Sequence, residues 1–379
     1  MYQRKYELDW LRVLAFAVLI FYHIGMLYVK DWGFHYKSQY QSEFLQNIML
    51  IVNSWRLPLL FLISGVAVRY YLNKVSVLKF MGMRSIRLLI PLAFAMLVII
   101  PPQLYAEMVY KGDLVDYSYW QFYKIFLDFG HPVFEDYQKF FYQADVNHLW
   151  YIRELWWFSL ILVAIIPLLN SQFIQNLVNY LANKRSPLRL IFIPLTLLTL
   201  LAYFVFPSSD EGYRVARGFT FMIVGYLLGW NRGIWEIITK YRHVFLRLSM
   251  VSITSYLIYY QLIWKQRIDP IDRSLLDFAE YTFAYFNRWV WILMILGYGS
   301  HYLNKPSSIL KYLNEAVYPF YILHQSILIM AAYYLSPLAL GGFYESVIVI
   351  FTTILLCAFG FEIIRRFNIL RILFGLKIK

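Results

Sequence analysis

The chain has 379 residues, 60% of them hydrophobic and 20% aromatic, with only 15% charged; this composition excludes an ordinary set of soluble domains and describes a multi-spanning membrane protein. Its 35 Lys and Arg against 22 Asp and Glu leave a net charge of +13, which in a membrane chain must be tested against topology before nucleic acid is considered. The lone Cys357 sits in an apolar run, and neither a Gly-rich phosphate loop nor HExxH occurs, so a disulfide framework, a cysteine metal site and those two motif classes are excluded.

From the N-terminus, Met-Tyr-Gln-Arg-Lys-Tyr-Glu leads into an apolar run from Trp10 to Val29. The run is long for a signal peptide and lacks a small-residue cleavage site, so it predicts a retained first helix. At roughly 20 apolar residues per crossing, the remaining spans are expected near 46–68, 86–106, 149–169, 189–206, 216–231, 245–264, 285–303, 315–336 and 344–364. The sixth and eighth have short apolar runs and could be tilted, broken or partly re-entrant. The expected fold is all-α, a polytopic membrane protein of about ten transmembrane helices forming one domain over 1–379. A loop at about 101–147, rich in Tyr, Phe, Trp and acids, is expected to form short interfacial helices or a lid. No repeat of fixed period and no inverted pairing of the two halves is visible.

Charge orients this bundle. The N-terminus before the first span, Arg69–Arg87, Lys184–Arg189, Arg232–Arg247, Lys305–Lys311 and the C-terminal tail after the last span together hold 21 basic and 3 acidic residues. The rest of the chain holds 14 basic and 19 acidic ones, with Lys111, Lys124 and Lys139 among seven acids between Glu107 and Asp145. Both termini are therefore expected on the cytoplasmic side, and a nucleic-acid role is not.

Ionisable groups inside apolar spans are costly and point to function. In the first span Arg12 and His23 are eleven residues apart, which returns a helix to within about 20° of the same face, roughly 16 Å along the axis. Asp9, three residues before Arg12, can pair with it. A neutral imidazole in an apolar cavity suits a general base for a hydroxyl; the blander role for His23 is a hydrogen bond to a neighbouring helix. His324 on the ninth span has a structural reading through the carbonyl that Pro319 releases. Arg84 and Arg87, three apart at the start of the third span, suit phosphate, and equally suit positive-inside anchoring. Arg56 stands near the outer end of span two, with Ser64 and Gly65 deeper, where small residues let helices approach. His148, Trp150 and Glu154 enter the fourth span together and could line the mouth of a polar cavity, although helix geometry does not put them on one face. His35, His131, His243 and His301 are expected to be solvated at the membrane surfaces.

These segments together resemble the acyltransferase-3 family of integral membrane acyltransferases. The resemblance rests on Glu-Leu-Asp-Trp-Leu-Arg with His23 ten intervening residues after Arg12, Leu-Pro-Leu-Leu-Phe-Leu-Ile-Ser-Gly, the Arg84 and Arg87 pair, His148-Leu-Trp, and the late Tyr-Pro-Phe-Tyr-Ile-Leu-His. The His324 segment and the C-terminal Phe-Glu-Ile-Ile-Arg-Arg-Phe-Asn run are similar to the glucan biosynthesis C-type proteins, associated with succinylation of periplasmic glucans. The resemblance implies transfer of an acyl group, acetyl or succinyl, from cytoplasmic acyl-CoA to a hydroxyl of a periplasmic or cell-surface glycan or a lipid-linked acceptor, in a bacterial inner membrane and without a metal. It implies His23 as the catalytic histidine with Arg12 as its partner, and Arg84 and Arg87 as contacts for acetyl-CoA or succinyl-CoA; Asp9, through its pairing with Arg12, joins the catalytic candidates. Arg56, His148, Trp150, Glu154 and His324 remain candidates for substrate contacts. The rival expectation is a proton-coupled transporter or exporter of a glycan or lipid, with His23 and His324 in a proton path.

Overall fold

The computed structural model describes residues 5–138, 141–183, 186–206, 209–229, 231–266 and 275–378; Lys139 and Lys184 of the charge count lie outside them. In chain order the helices are α1 (Tyr6–Tyr28), α2 (Glu43–Leu72), α3 (Val77–Phe94), α4 (Pro101–Lys111), α5 (Tyr119–Phe126), α6 (Trp150–Leu169), α7 (Gln172–Asn183) and α8 (Pro187–Val205). They continue with α9 (Asp210–Leu228), α10 (Arg232–Lys240), α11 (Arg242–Leu262), α12 (Leu275–Tyr302), α13 (Ser308–Leu335), α14 (Gly342–Ile364) and α15 (Asn368–Leu373). Among the described residues the only β pairing is two isolated bridges, Val29 with Ser42 and Phe141 with Ala144. The protein is an all-α polytopic membrane protein.

Among the described residues, ten helices have 18 residues or more, α1–α3, α6, α8, α9 and α11–α14, and each overlaps one of the ten expected spans. Seven helical stretches among the described residues are long and apolar enough to cross a membrane, and α9, α11 and α12 fall short of that. Length is not what they lack, with 19, 21 and 28 residues. Glu211, Arg214 and Arg217 in α9, Arg242 and Arg247 in α11, and Asp277, Glu280 and Arg288 in α12 lower their apolarity.

The chain forms two compact units. One comprises Met1–Ala15, Leu50–Met81 and Trp157–Leu310, the other Phe16–Met49, Gly82–Trp156 and Lys311–Lys379. Each draws on stretches far apart in sequence, so no composition shift marks a boundary between them. In the first unit Trp289 is fully buried and its indole N–H donates to the Leu190 carbonyl at 2.9 Å, as a buried indole requires. Helices α2 and α9 approach through glycine: a Cβ on Gly65 would stand 2.0 Å from the Met222 carbonyl oxygen, and one on Gly225 2.0 Å from that of Leu62. Gly65 thus has the packing role that its small size suggested.

The second unit departs from the sequence expectation at the third span. The helical path runs from Val77 to Lys111, five residues past the expected end, and a π-helical segment, Ala95–Ile99, interrupts it between α3 and α4. Proline is the cause. Pro101 has no N–H to give the Leu97 carbonyl, and the Tyr123 hydroxyl from α5 donates there instead at 3.0 Å. Pro91 likewise releases the Arg87 carbonyl, which the Tyr318 hydroxyl faces at 3.5 Å. The described residues of 112–138 and 141–146 form a packed structure with its own core of Leu114, Phe122, Phe126, Phe134 and Ala144 against Tyr105 and Met108 of α4. At the far end of α1, the Lys37 ammonium donates to the carbonyls of Met26 at 2.9 Å, Trp32 at 3.0 Å and Val29. It thereby supplies the cation that a helix C-terminus favours; burial pulls its pKa below the usual lysine value while Asp31 opposes that.

The close approach of α2 and α9 predicts that Gly65→Ala or Gly225→Ala lowers the melting temperature of the purified protein, by about 1–3 kcal/mol of overpacking. Nothing lies within 4 Å of a Cβ on Gly82, so Gly82→Ala serves as the control. Scanning fluorimetry in detergent checks this; equal melting of all three variants would refute the backbone contact.

Candidate active site

Three histidines from separate parts of the sequence meet in the second unit. His23 comes from the C-terminal half of α1, His148 from a 3-10 turn, Asn147–Leu149, that opens α6, and His324 from the middle of α13. The rings of His23 and His324 are 7° from parallel with centroids 5.0 Å apart, and His23 Nδ1 lies 2.7 Å from His324 Nε2. His148 stands edge-on to His324 at 5.2 Å. Among the described residues no group of three or more His, Cys, Asp or Glu is placed to hold a metal ion.

The partners decide where the protons are. His324 Nδ1 lies against the carbonyl oxygens of Tyr321 at 2.7 Å and Phe320 at 3.2 Å, which can only accept, so it carries the hydrogen. In a neutral ring its Nε2 is then the acceptor, and the bond to His23 requires His23 Nδ1–H as donor. The basic lone pair of His23 is left on Nε2. His148 takes the opposite tautomer, with Nε2–H donating to the Ile322 carbonyl at 3.1 Å and Nδ1 accepting from the Gln103 amide at 3.4 Å. His324 is 0% exposed and His148 5%, whereas His23 keeps accessible surface. Of the three imidazoles, His23 is the one a substrate can reach. Phe16, two turns before it, packs edge-on against Tyr321 at 5.2 Å and Tyr151 at 6.0 Å, closing an apolar layer along that side of α1.

A chain of amides leads away from the histidines. Gln325 Nε2 donates to Gln103 Oε1 and to Asn147 Oδ1, both at 3.1 Å. Gln103 Nε2 also donates to Ser326 Oγ at 2.6 Å, and Ser326 donates to the Ile99 carbonyl in the π segment. Asn147 Oδ1 meets His35 Nε2 at 2.9 Å, while His35 Nδ1 bonds the Glu107 carboxylate. Lys111 completes the chain on Glu107 at 2.6 Å. His35 is thus an anchored member of a buried-to-surface network, a correction to its expected solvated role: Glu107 comes from the stretch where α4 overruns the expected span. Gln103 and Gln325 were missed because a search for ionisable groups passes over amides, although an amide in an apolar run is also costly to bury.

His324 corrects another expectation. The carbonyl that Pro319 releases belongs to Glu315, four residues back, whereas His324 bonds Tyr321, Phe320 and His23.

The remaining candidates divide between the units. Asp9 and Arg12 form the anticipated pair, Arg12 Nη2 to Asp9 Oδ1 at 3.5 Å, and with the buried Arg56 they belong to the first unit. Arg12 and His23 share the uninterrupted α1. In the second unit Arg87 Nε donates to the Gly375 carbonyl at 3.0 Å, joining α3 to a C-terminal tail where Arg371 meets Glu315 at 2.8 Å. Between Arg84 and Arg87, Ser85 accepts from the Trp156 indole at 2.9 Å. Glu154 is buried and accepts from neighbouring Arg153 at 2.9 Å. Trp150 is half-buried at the start of α6.

A family model described as an acyltransferase domain matches residues 5–362. No curated protein and no solved structure gives a significant match. The chain belongs to the acyltransferase-3 family and is a membrane acyltransferase, which sets the transporter alternative aside.

The tautomers are open to direct measurement. In 15N-histidine spectra of the protein at neutral pH, His23 is expected with its proton on Nδ1 and His148 with its proton on Nε2. A proton on His23 Nε2 would sink the assignment.

Proposed function

We propose that this acyltransferase moves an acetyl or succinyl group from cytoplasmic acyl-CoA to a hydroxyl of a periplasmic or cell-surface glycan in a bacterial inner membrane, with His23 Nε2 as the reacting base. What carries the reading is the hydrogen bond from His23 Nδ1 to His324 Nε2, because it points the basic nitrogen of the one accessible histidine away from its buried partner. The charge distribution supports a donor arriving on the cytoplasmic side, where Arg84 and Arg87 offer planar, phosphate-matched donors. The acetyl or succinyl choice follows the resemblance to the glucan biosynthesis C-type proteins.

Two routes use the same atom. In the direct route His23 Nε2 takes the proton of the acceptor hydroxyl as its oxygen attacks the thioester carbonyl. The new C–O bond forms, the C–S bond breaks, and the proton passes from His23 to the departing CoA thiolate. In the covalent route Nε2 itself attacks the carbonyl, CoA leaves as the thiolate while the C–N bond forms, and the acceptor hydroxyl then displaces the imidazole, with a C–O bond formed, the C–N bond broken and the hydroxyl proton passing to the thiolate. In both, positive charge builds on the His23 ring, and His324 Nε2 stabilises it by accepting from Nδ1–H. His324 is therefore a positioning residue, held by the Tyr321 and Phe320 carbonyls in the tautomer that can do so.

His23→Ala is expected to lower acyl transfer by about 10²–10⁴-fold in protein that remains monodisperse; full activity would refute the assignment. His324→Phe should lower kcat with little change in acyl-CoA KM, whereas a purely structural role would lower the folded fraction and leave kcat per folded molecule in place. Arg84→Ala combined with Arg87→Ala should raise the acyl-CoA KM about tenfold or more, and an unchanged KM returns the pair to membrane anchoring. Rapid quench with mass spectrometry separates the routes, since only the covalent one adds the acyl mass to His23.

A further inference from the structure

After α15 the chain turns back onto the helix that carries Arg84 and Arg87. Within the second unit, Phe374, Gly375 and Leu376 are all buried, and Phe374 packs edge-on against Phe94 of α3 with ring centres 5.4 Å apart. Between these two apolar side chains Gly375 offers its carbonyl to the Arg87 side chain, whose Nε donates at 3.0 Å. Gly375 has φ +67°, in the left-handed region, and a Cβ on it would stand 2.1 Å from Tyr318 Cε1 and 3.1 Å from the Arg87 carbonyl oxygen. Only glycine meets both the conformation and the approach. The tail therefore touches Arg87 through its backbone and its side chain together.

The tail is also fastened from its own side. Arg371, 5% exposed, pairs with Glu315 of α13 at 2.8 Å and donates to the carbonyls of Lys377 at 2.6 Å and Arg365 at 3.0 Å. The Leu376 N–H returns to the Arg371 carbonyl at 2.7 Å, and Arg365 meets Glu362 at 3.2 Å. Arg365 and Arg371 thus direct their charge at carboxylates. Arg87 is exposed, and its Nε bond goes to a neutral carbonyl, which fixes the plane of the guanidinium while leaving its charge for an anion. With Nε held, the two terminal amines present the edge that matches a phosphate. An arginine held before its ligand arrives has less rotamer freedom to lose on binding.

We propose that the tail segment Arg371–Lys377 is a working part of the donor site, in which the Gly375 carbonyl orients Arg87 toward the phosphates of the acyl-CoA nucleotide. The proposal rests on the acyl-transfer reading with Arg84 and Arg87 as donor contacts, and it adds Gly375 to them as a positioning residue, with Arg371 holding the strap closed. Donor affinity then depends on the tail, whereas the chemistry at His23 does not. A phospholipid headgroup offers the same phosphate chemistry as the nucleotide, so the test separates the two sources.

The test measures equilibrium binding of radiolabelled coenzyme A, and of pantetheine, which lacks the nucleotide, to the full chain. Binding is read in dodecyl maltoside micelles, which contain no phosphate, and in phosphatidylglycerol nanodiscs. Gly375→Ala should weaken coenzyme A about tenfold in the micelles and leave pantetheine unchanged. In an Arg87→Ala background Gly375→Ala should add little, because a coupling disappears with its partner. Arg371→Lys keeps a charge beside Glu315 but loses the fork that grips the tail carbonyls; it should act in the same direction, and it carries the test if Gly375→Ala does not fold. Equal weakening of coenzyme A and pantetheine, or fully additive effects in the double variant, would reduce the tail to packing and overturn the proposal. A coenzyme A effect confined to the phosphatidylglycerol nanodiscs would assign Arg87 to lipid headgroups and overturn it as well. If Arg84→Ala with Arg87→Ala leaves coenzyme A affinity unchanged, the donor reading itself falls; if that pair weakens coenzyme A while Gly375→Ala and Arg371→Lys do not, only the role of the tail is lost.

Discussion

Inside a hydrocarbon layer a carbonyl released by proline, or an imidazole nitrogen, has no water to turn to, and the second unit is organised by that scarcity. The His23 to His324 bond is its central instance. Each ring satisfies a nitrogen of the other or a carbonyl of α13, and satisfaction leaves only one arrangement of protons. The same need governs the break between α3 and α4. Pro101 and the π segment expose carbonyls that Tyr123 and Ser326 must meet, and meeting them brings Gln103 and Ser326 into one network with His148. Helix irregularity, polar burial and the placing of the site are one problem solved once.

The arrangement also separates two tasks that a membrane acyltransferase has to combine. A reacting imidazole needs a partner fixed enough to hold its tautomer and an open edge for substrate. Burial is divided accordingly, with His324 enclosed on a long helix and His23 retaining surface on α1. The charged groups lie apart along one helical path: Arg84 and Arg87 stand in the middle of α3, and Glu107 and Lys111 close α4.

Much of this was legible in the sequence. Runs of apolar residues located all ten long helices, because 20 residues at 1.5 Å each must match the bilayer whatever the neighbours are. The first helix announced His23 as a costly residue, and the close approach at Gly65 followed from its size. Charged residues diluted the apolar signal in α9, α11 and α12 without removing the helices, since length and packing sustain them where hydropathy is weaker.

What the sequence determined by itself, then, was whatever depends on local period and composition: an all-α membrane protein, the positions of its long helices, its positive segments, and histidines too expensive to be incidental. Tertiary structure alone decided that His23 meets a residue 301 positions away in the chain, that His35 is tied to Glu107 and Asn147 rather than solvated, and that Glu154 turns to Arg153. Hydrogen bonds between helices depend on which faces pack together, and residues three hundred apart carry no sign of each other in their own neighbourhoods. The proton on His23 is fixed by the carbonyls of another helix, so the chemistry of the most conspicuous residue in the sequence became readable only when its partner was in place.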